Sequence, residues 1–277
     1  MINIFNDKKN ISYFDNIDEY INFLENTPRK EDRCNDSEEG SYNFTGTYNF
    51  KEAIKLCKYG DEQLCSDIHK LSLSVNCDEV IDKIKRQYTN DIIGFTPNVP
   101  NYIMGLPNNM IRDVSIKIKS KIINIYINLS AHAGIDSDVI KRNASKYVAA
   151  IDNLEQQGYR CNVYCGNVAE KYFGKYAIIV KIKSDREPLN LMKMAFPMAH
   201  PSMLRRLSFK WIETIPIDFT HSGYGTPVDD DKTVLSMLKP IFNDTKFVIL
   251  SIGENHGEVT DVINILKKKG MVNNENN

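Results

Sequence analysis

The spacing of apolar positions in the middle of the chain changes character twice. From Ile122 to Asn128 the run Ile-Ile-Asn-Ile-Tyr-Ile-Asn is short, apolar and β-branched, which suits a buried strand. From Ile140 the apolar positions Ile140, Ala144, Tyr147, Ile151 and Leu154 recur at alternating intervals of four and three, one stripe of an α-helix. Tyr159 to Cys165 then reads as a second strand. Asp136 or Ser137 caps the start of the helix, and Gly158 ends it in a left-handed conformation. A strand, a crossover helix and a strand predict a parallel pair with a right-handed connection.

Around this centre the pattern predicts further elements. Helices are expected over Asp15 to Asn26, over Phe50 to Tyr59 with Asn49 as cap and Glu52 three positions on, and over Asp61 to Leu71 and Asp78 to Tyr88. The charged segment Thr27 to Ser41 reads as a solvated loop. Pro97 and Pro100 keep Gly94 to Pro107 from being regular helix throughout, so it reads as a structured loop. Beyond it, Ser115 to Lys121 alternates as a half-exposed strand, and Tyr176 to Ile182 and Phe247 to Ile252 are apolar strand runs. Helices are expected over Glu187 to Phe196, Pro201 to Trp211 and Glu258 to Lys269.

The fold class that follows is α/β. A Rossmann-like or von Willebrand A-like open sheet in residues 114–277 is preceded by a mostly helical, acidic region over 1–113. Charge supports that division: residues 1–113 carry 13 Lys/Arg against 19 Asp/Glu, net −6, and the remainder 22 against 17, net +5. With 277 residues, 42% of them hydrophobic, and a net charge of −1, the chain can bury a sizeable core and is not a polybasic nucleic-acid binder as a whole. No stretch resembles a secretory signal or a membrane span, and six scattered cysteines fit a reducing compartment. Cys161 and Cys165 share one face of a strand and read as buried free thiols.

Candidate chemistry is sparse. Cys57, Cys65, His69 and Cys77 lack the close Cys-x-x-Cys pairs of a zinc site and read as scattered side chains. His221 with Asp229, Asp230 and Asp231 is a donor set for a hard cation, set against a plain solvated turn or helix start. Gly253 to Gly257 sits where amides hold anions, without the spacing of a dinucleotide or phosphate loop. No Gly-x-Ser-x-Gly elbow surrounds any serine. Lys193, Arg205, Arg206 and Lys210 form a candidate basic patch for phosphates or an acidic partner, and His200 a candidate general base whose plain reading is structural. An open α/β sheet binds ligands beyond the carboxyl ends of its strands. That edge gathers a candidate crevice of Asn128, Ser130, His132, Asp136, Glu254 and His256.

Two resemblances bear on these positions. The corner Asn128-Leu-Ser130-Ala-His132 is similar to the Asp-x-Ser-x-Ser metal corner of von Willebrand factor A domains, with only Ser130 matching, which implies the fold with a degenerate metal motif. The segments Gly46 to Ala53, Gly94 to Tyr102 with Gly105 and Pro107, Leu154 to Tyr159, and His200 to Arg206 resemble a family of uncharacterised tailed-phage proteins. That resemblance implies a viral origin, with host cytoplasm or virion as the location.

We therefore expect a phage accessory or assembly protein that acts by binding protein. No catalytic residue, cofactor, metal or membrane contact is assigned, and no oligomeric state is read from the sequence. The competing expectation is a nucleic-acid-binding or metal-dependent nucleic-acid-processing protein that uses the basic back half. A binding module predicts an exposed apolar patch of about several hundred Å², formed by the Gly94 to Pro107 loop with its Tyr102, Ile103 and Met104. An enzyme predicts histidines and carboxylates converging in one cleft.

Overall fold

The chain opens with two strands, β1 (Ile2–Phe5) and β2 (Lys9–Phe14), before α1 (Ile17–Asn26), the short turns α2 (Asp36–Glu39) and α3 (Tyr42–Thr45), α4 (Phe50–Tyr59) and α5 (Glu62–Ser74). β3 (Gln87–Asp91), β4 (Thr96–Pro97), α6 (Val99–Ile103) and β5 (Met110–Val114) follow. Then come β6 (Ile122–Asn128), α7 (Ser137–Gln156), β7 (Arg160–Gly166), β8 (Val168–Lys171), β9 (Gly174–Lys183) and α8 (Leu191–Ala199). A π-helical segment (Met203–Ser208) leads into α9 (Phe209–Ile212), β10 (Thr226–Pro227), α10 (Asp231–Phe242) and β11 (Val248–Ser251). This computed structural model describes residues 1–5, 9–30, 36–74, 87–114, 122–156, 158–171, 174–215, 224–228 and 230–253. The predicted helices 78–88 (but for its last two residues) and 258–269 and the predicted strand 115–121 lie outside them.

The predicted strand–helix–strand unit is present, with its strands in parallel. β6 and β7 pair in parallel from Ile122↔Arg160 to Asn128↔Gly166, with α7 as the crossover. All five stripe residues of α7 are buried, each contributing about 1.5–3 kcal/mol relative to exposure. Asp136 is the cap, its Oδ1 accepting from Asp138 N at 2.9 Å, and Gly158 turns the chain at φ 91°. α4 starts as expected: Asn49 Oδ1 accepts from Glu52 N at 2.9 Å, and the Glu52 carboxylate reaches back to the Tyr48 amide.

The sheet is mixed, in the order β1-β2-β9-β7-β6-β11. β2/β9, β7/β6 and β6/β11 are parallel, whereas β1/β2 and β9/β7 are antiparallel. β8 continues the ladder of β7 along the first half of β9, and β10 adds to β8. On one face Ile11, Tyr13, Tyr126, Tyr164, Ala177, Ile179 and Ile249 pack with Val234, Met237 and Leu238 of α10. α7 and α8 lie against β7 and β9, and α5 packs on both helices.

Residues 1–113 are therefore not a separate helical region. β2 is buried from Asn10 to Phe14 and pairs with β9, about 165 residues away. Two compact units divide the chain as 1–77 with 122–277, and 78–121. In the second unit β3, β5 and β4 form a three-stranded antiparallel sheet, pinned by the Asp91–Arg112 ion pair at 2.9 Å. Among the described residues, no helix is long and apolar enough to cross a membrane.

Candidate functional site

At the carboxyl ends of β6, β7 and β11 two of the polar side chains expected to line a crevice, Asn128 and Ser130, are turned inward. Asn128 is fully buried; its Nδ2 donates to Val228 O at 2.7 Å and Ser251 Oγ at 3.4 Å, and its Oδ1 accepts from Ser130 N at 3.3 Å. Ser130 Oγ accepts from Val168 N at 2.9 Å and shares its proton between Asn167 Oδ1 and Val168 O. Their roles are internal: they hold the strand break at Asn167 and the β6–α7 loop in place. Gly253 runs close to this loop, since an added Cβ would stand 2.5 Å from Ser130 O. His132 and Asp136 are exposed on that loop, where His132 Nδ1 accepts from Gly134 N at 3.1 Å and Asp136 caps α7. Glu254 and His256 lie outside the described residues.

The basic patch is corrected more sharply. Arg205 and Arg206 are 1% and 0% exposed. Both sit on the π-helical segment and send their guanidiniums to backbone carbonyls. Arg205 Nη1 donates to Phe44 O at 2.7 Å and Nη2 to Ile135 O at 2.5 Å and His132 O at 3.4 Å, with the guanidinium 4.0 Å above the Phe44 ring. Arg206 donates through Nε to Thr47 Oγ1 (2.8 Å) and through Nη1 to Ser37 O (2.8 Å). Its Nη2 serves Gly40 O (2.7 Å), Thr47 O (2.8 Å) and Thr45 Oγ1 (3.0 Å). The reason lies in the turns they serve. α2 and α3 have four residues each, too few to satisfy their own carbonyls, and a cation at a helix C-terminus does so. Burial pulls Arg205 down to about 10, opposed by the charge of Asp136, so it stays protonated at neutral pH. Arg205 thus joins the two groups read separately from the sequence, pinning the crevice loop to α3.

Lys193 is exposed. Lys210 is 13% exposed, 4.0 Å from Glu38 Oε1 and above the Phe50 ring. It walls a cleft of about 580 Å³ together with Leu24, Glu25, Phe50 and Ile54. That volume suits a small molecule, but three of the charged residues that line it are already paired, Lys210 with Glu38 and Glu25 with Lys58 at 2.9 Å.

His200 is a core residue. It stacks on Phe196 (4.6 Å between centroids, 14° between planes), and its Nδ1 accepts from Ser202 N at 3.1 Å. Gly46, at φ 77°, packs so close that an added Cβ would stand 3.0 Å from the imidazole Cε1. Burial, with the charge of Lys141 adding to it, lowers the His200 pKa from 6.5 to about 3. Below pH 6.5 the unfolded chain then binds the extra proton, so this stabilisation is complete above 6.5 and is lost as pH falls towards 3. We expect denaturation midpoints to drop by on the order of 1 kcal/mol per pH unit in that window, and His200→Gln to flatten the slope. An unchanged slope in the variant would show that His200 is not the group responsible.

Among the described residues no three His, Cys, Asp or Glu side chains stand close enough to share a metal. Asp230 caps α10 through Thr233 N at 2.8 Å, which holds its carboxyl below the usual range. His221, Asp229 and Cys77 lie outside the described residues. Cys57 is buried, and burial pushes its thiol up.

The second unit differs from all of this. Ile92 (68%), Ile93 (77%), Phe95 (67%), Tyr102 (68%), Ile103 (77%) and Met104 (64%) are exposed, and none of residues 88–112 is buried. From Ile92 to Ile111 there is no charged residue, in a chain that is 26% charged. The backbone is nonetheless held by side-chain amides. Asn98 Oδ1 accepts from Asn101 N at 3.4 Å, Asn98 Nδ2 donates to Asn90 Oδ1 at 3.0 Å, and Asn101 Nδ2 donates to Asn108 O at 3.1 Å. The unit thus exposes these apolar side chains on a backbone tied by its own hydrogen bonds. The sequence offers the Gly94 to Pro107 loop, with Phe95, Tyr102, Ile103 and Met104, as this patch, and Ile92 and Ile93 directly before it extend it.

A family model described as a domain of unknown function (DUF7192) matches residues 4–273, and the chain belongs to that family. No curated protein and no solved structure matches it.

Proposed function

We propose that this member of the DUF7192 family acts by binding protein rather than by catalysis, and that its contact surface is the apolar face of residues 92–111. The observation that carries the reading is the conjunction in that unit of large exposed apolar side chains, no charge from 92 to 111, and no buried residue from 88 to 112. Each such side chain forgoes about 1.5–3 kcal/mol while it faces water, and exposed apolar patches of this kind mark interaction sites. The nucleic-acid reading is weaker, because Arg205 and Arg206, half of its basic patch, spend their donors on internal carbonyls. The resemblance of residues 46–53, 94–107, 154–159 and 200–206 to tailed-phage proteins supports an accessory or assembly role in the host cytoplasm or on the virion. We read the β6–α7 corner as a von Willebrand A-like corner whose metal position is taken over by the Asn128–Ser130 hydrogen bonds.

A photo-crosslinking amino acid placed at Tyr102 in producing cells tests this, with Tyr59, 75% exposed on α4, as the control position. The expected result is a protein adduct of discrete mass from position 102 alone. Equal adducts from both positions, or none from 102, would remove the basis of the proposal.

A further inference from the structure

We infer that the protein covering this surface is a second copy of the chain, so that residues 92–111 form an isologous dimer interface. The inference rests on the protein-binding reading and names its partner.

Charge supplies the first argument. A two-fold interface places each patch against itself, so any charge near the axis meets its own like. The surface carries none from Ile92 to Ile111, and the flanking Asp91 is neutralised by Arg112 within the same unit. Such a face can meet its copy with no like-charge contact. Area supplies the second. Eight large apolar side chains between Ile92 and Leu106 are 44–77% exposed. At about 150–250 Å² for each aromatic and somewhat less for the aliphatics, they offer on the order of 800 Å², the share one partner contributes to a stable interface. Supply gives the third. None of residues 88–112 is buried, so a cover that is present whenever the chain is leaves the least apolar surface in water. A second copy is made with the first at equal abundance, whereas a transient partner leaves the surface bare between encounters.

Sedimentation of the full chain over a concentration series tests the inference. We expect a dimer, and a dissociation constant raised about 100-fold by Ile103→Asp, because the two-fold axis doubles both the apolar loss and the new charge. Should Ile103→Asp disturb the unit itself, the photo-crosslinker at Tyr102 in a mixture of unlabelled and isotope-labelled chains provides a readout in the otherwise native protein, and mixed adducts are expected. A dimer left intact by Ile103→Asp, with no mixed adduct, places the interface elsewhere and overturns the inference. A monomer at every concentration that still yields an adduct with a different protein in cells overturns the second copy while the protein-binding reading stands. A monomer with no adduct of either kind ends both.

Discussion

Arg206→Lys keeps the positive charge and is expected to destabilise the chain by about 3 kcal/mol or more. The guanidinium spreads five hydrogen bonds over three nitrogens, to Thr47 Oγ1, Ser37 O, Gly40 O, Thr47 O and Thr45 Oγ1. An ammonium has three donors on one atom and cannot span carbonyls that lie on different sides of a planar fork. At least two of those carbonyls would be left buried and unpaired, each costing about 1–3 kcal/mol. Arg205→Lys is expected to cost less, since its donors reach three carbonyls rather than five acceptors. Urea midpoints at constant slope measure both. A loss below about 0.5 kcal/mol for Arg206→Lys would mean that the α2–α3 segment is held by something other than this clamp.

The buried pair Lys183–Glu155 gives the second large effect. Lys183 Nζ lies 2.6 Å from Glu155 Oε1, with side chains 2% and 7% exposed, and also donates to Cys161 O at 3.2 Å and Ser184 O at 3.0 Å. Glu155 Oε1 accepts from Cys161 N as well, at 2.9 Å. The pair therefore ties the last turn of α7 to β7 and to the end of β9. Removing one partner strands a charge in the interior, so Glu155→Gln and Lys183→Met are each expected to cost about 3–5 kcal/mol. Removing both charges relieves the stranding, and the double variant is expected to recover more than half of the summed loss. Strict additivity in this double-mutant cycle would contradict a direct coupling between the two side chains.

Legibility followed locality. α7 and its flanking strands could be read because the signal, a stripe of Ile140, Ala144, Tyr147, Ile151 and Leu154 between two β-branched runs, lies within 44 residues. Asn10 and Ser12 alternating with Ile11 and Tyr13 is a strand pattern, but the place of β2 beside β9 could not be read from it, because its ladder is formed with residues 175–180. The adjacent arginines looked solvated for a related reason: the carbonyls that take them inside belong to residues 37–47 and 132–135, far away in the chain. Asn128 and Ser130 were found as a constellation, but the pattern of residue types does not distinguish side chains that face a ligand from side chains that close a corner. In the hairpin of the second unit the sequence already showed both the apolar run and the absence of charge.

The central claim is that residues 92–111 are covered by protein when the chain is at work. Amide hydrogen exchange, measured on the protein isolated gently from the cells that make it and on the same protein after dilution, addresses it most directly. We expect slower exchange over residues 88–111 in the undiluted sample, with β6 and β7 unchanged between the two. Equal exchange over 88–111 in both samples, or protection confined to residues 129–136, would contradict it and return attention to the exposed His132 and Asp136 of the β6–α7 loop.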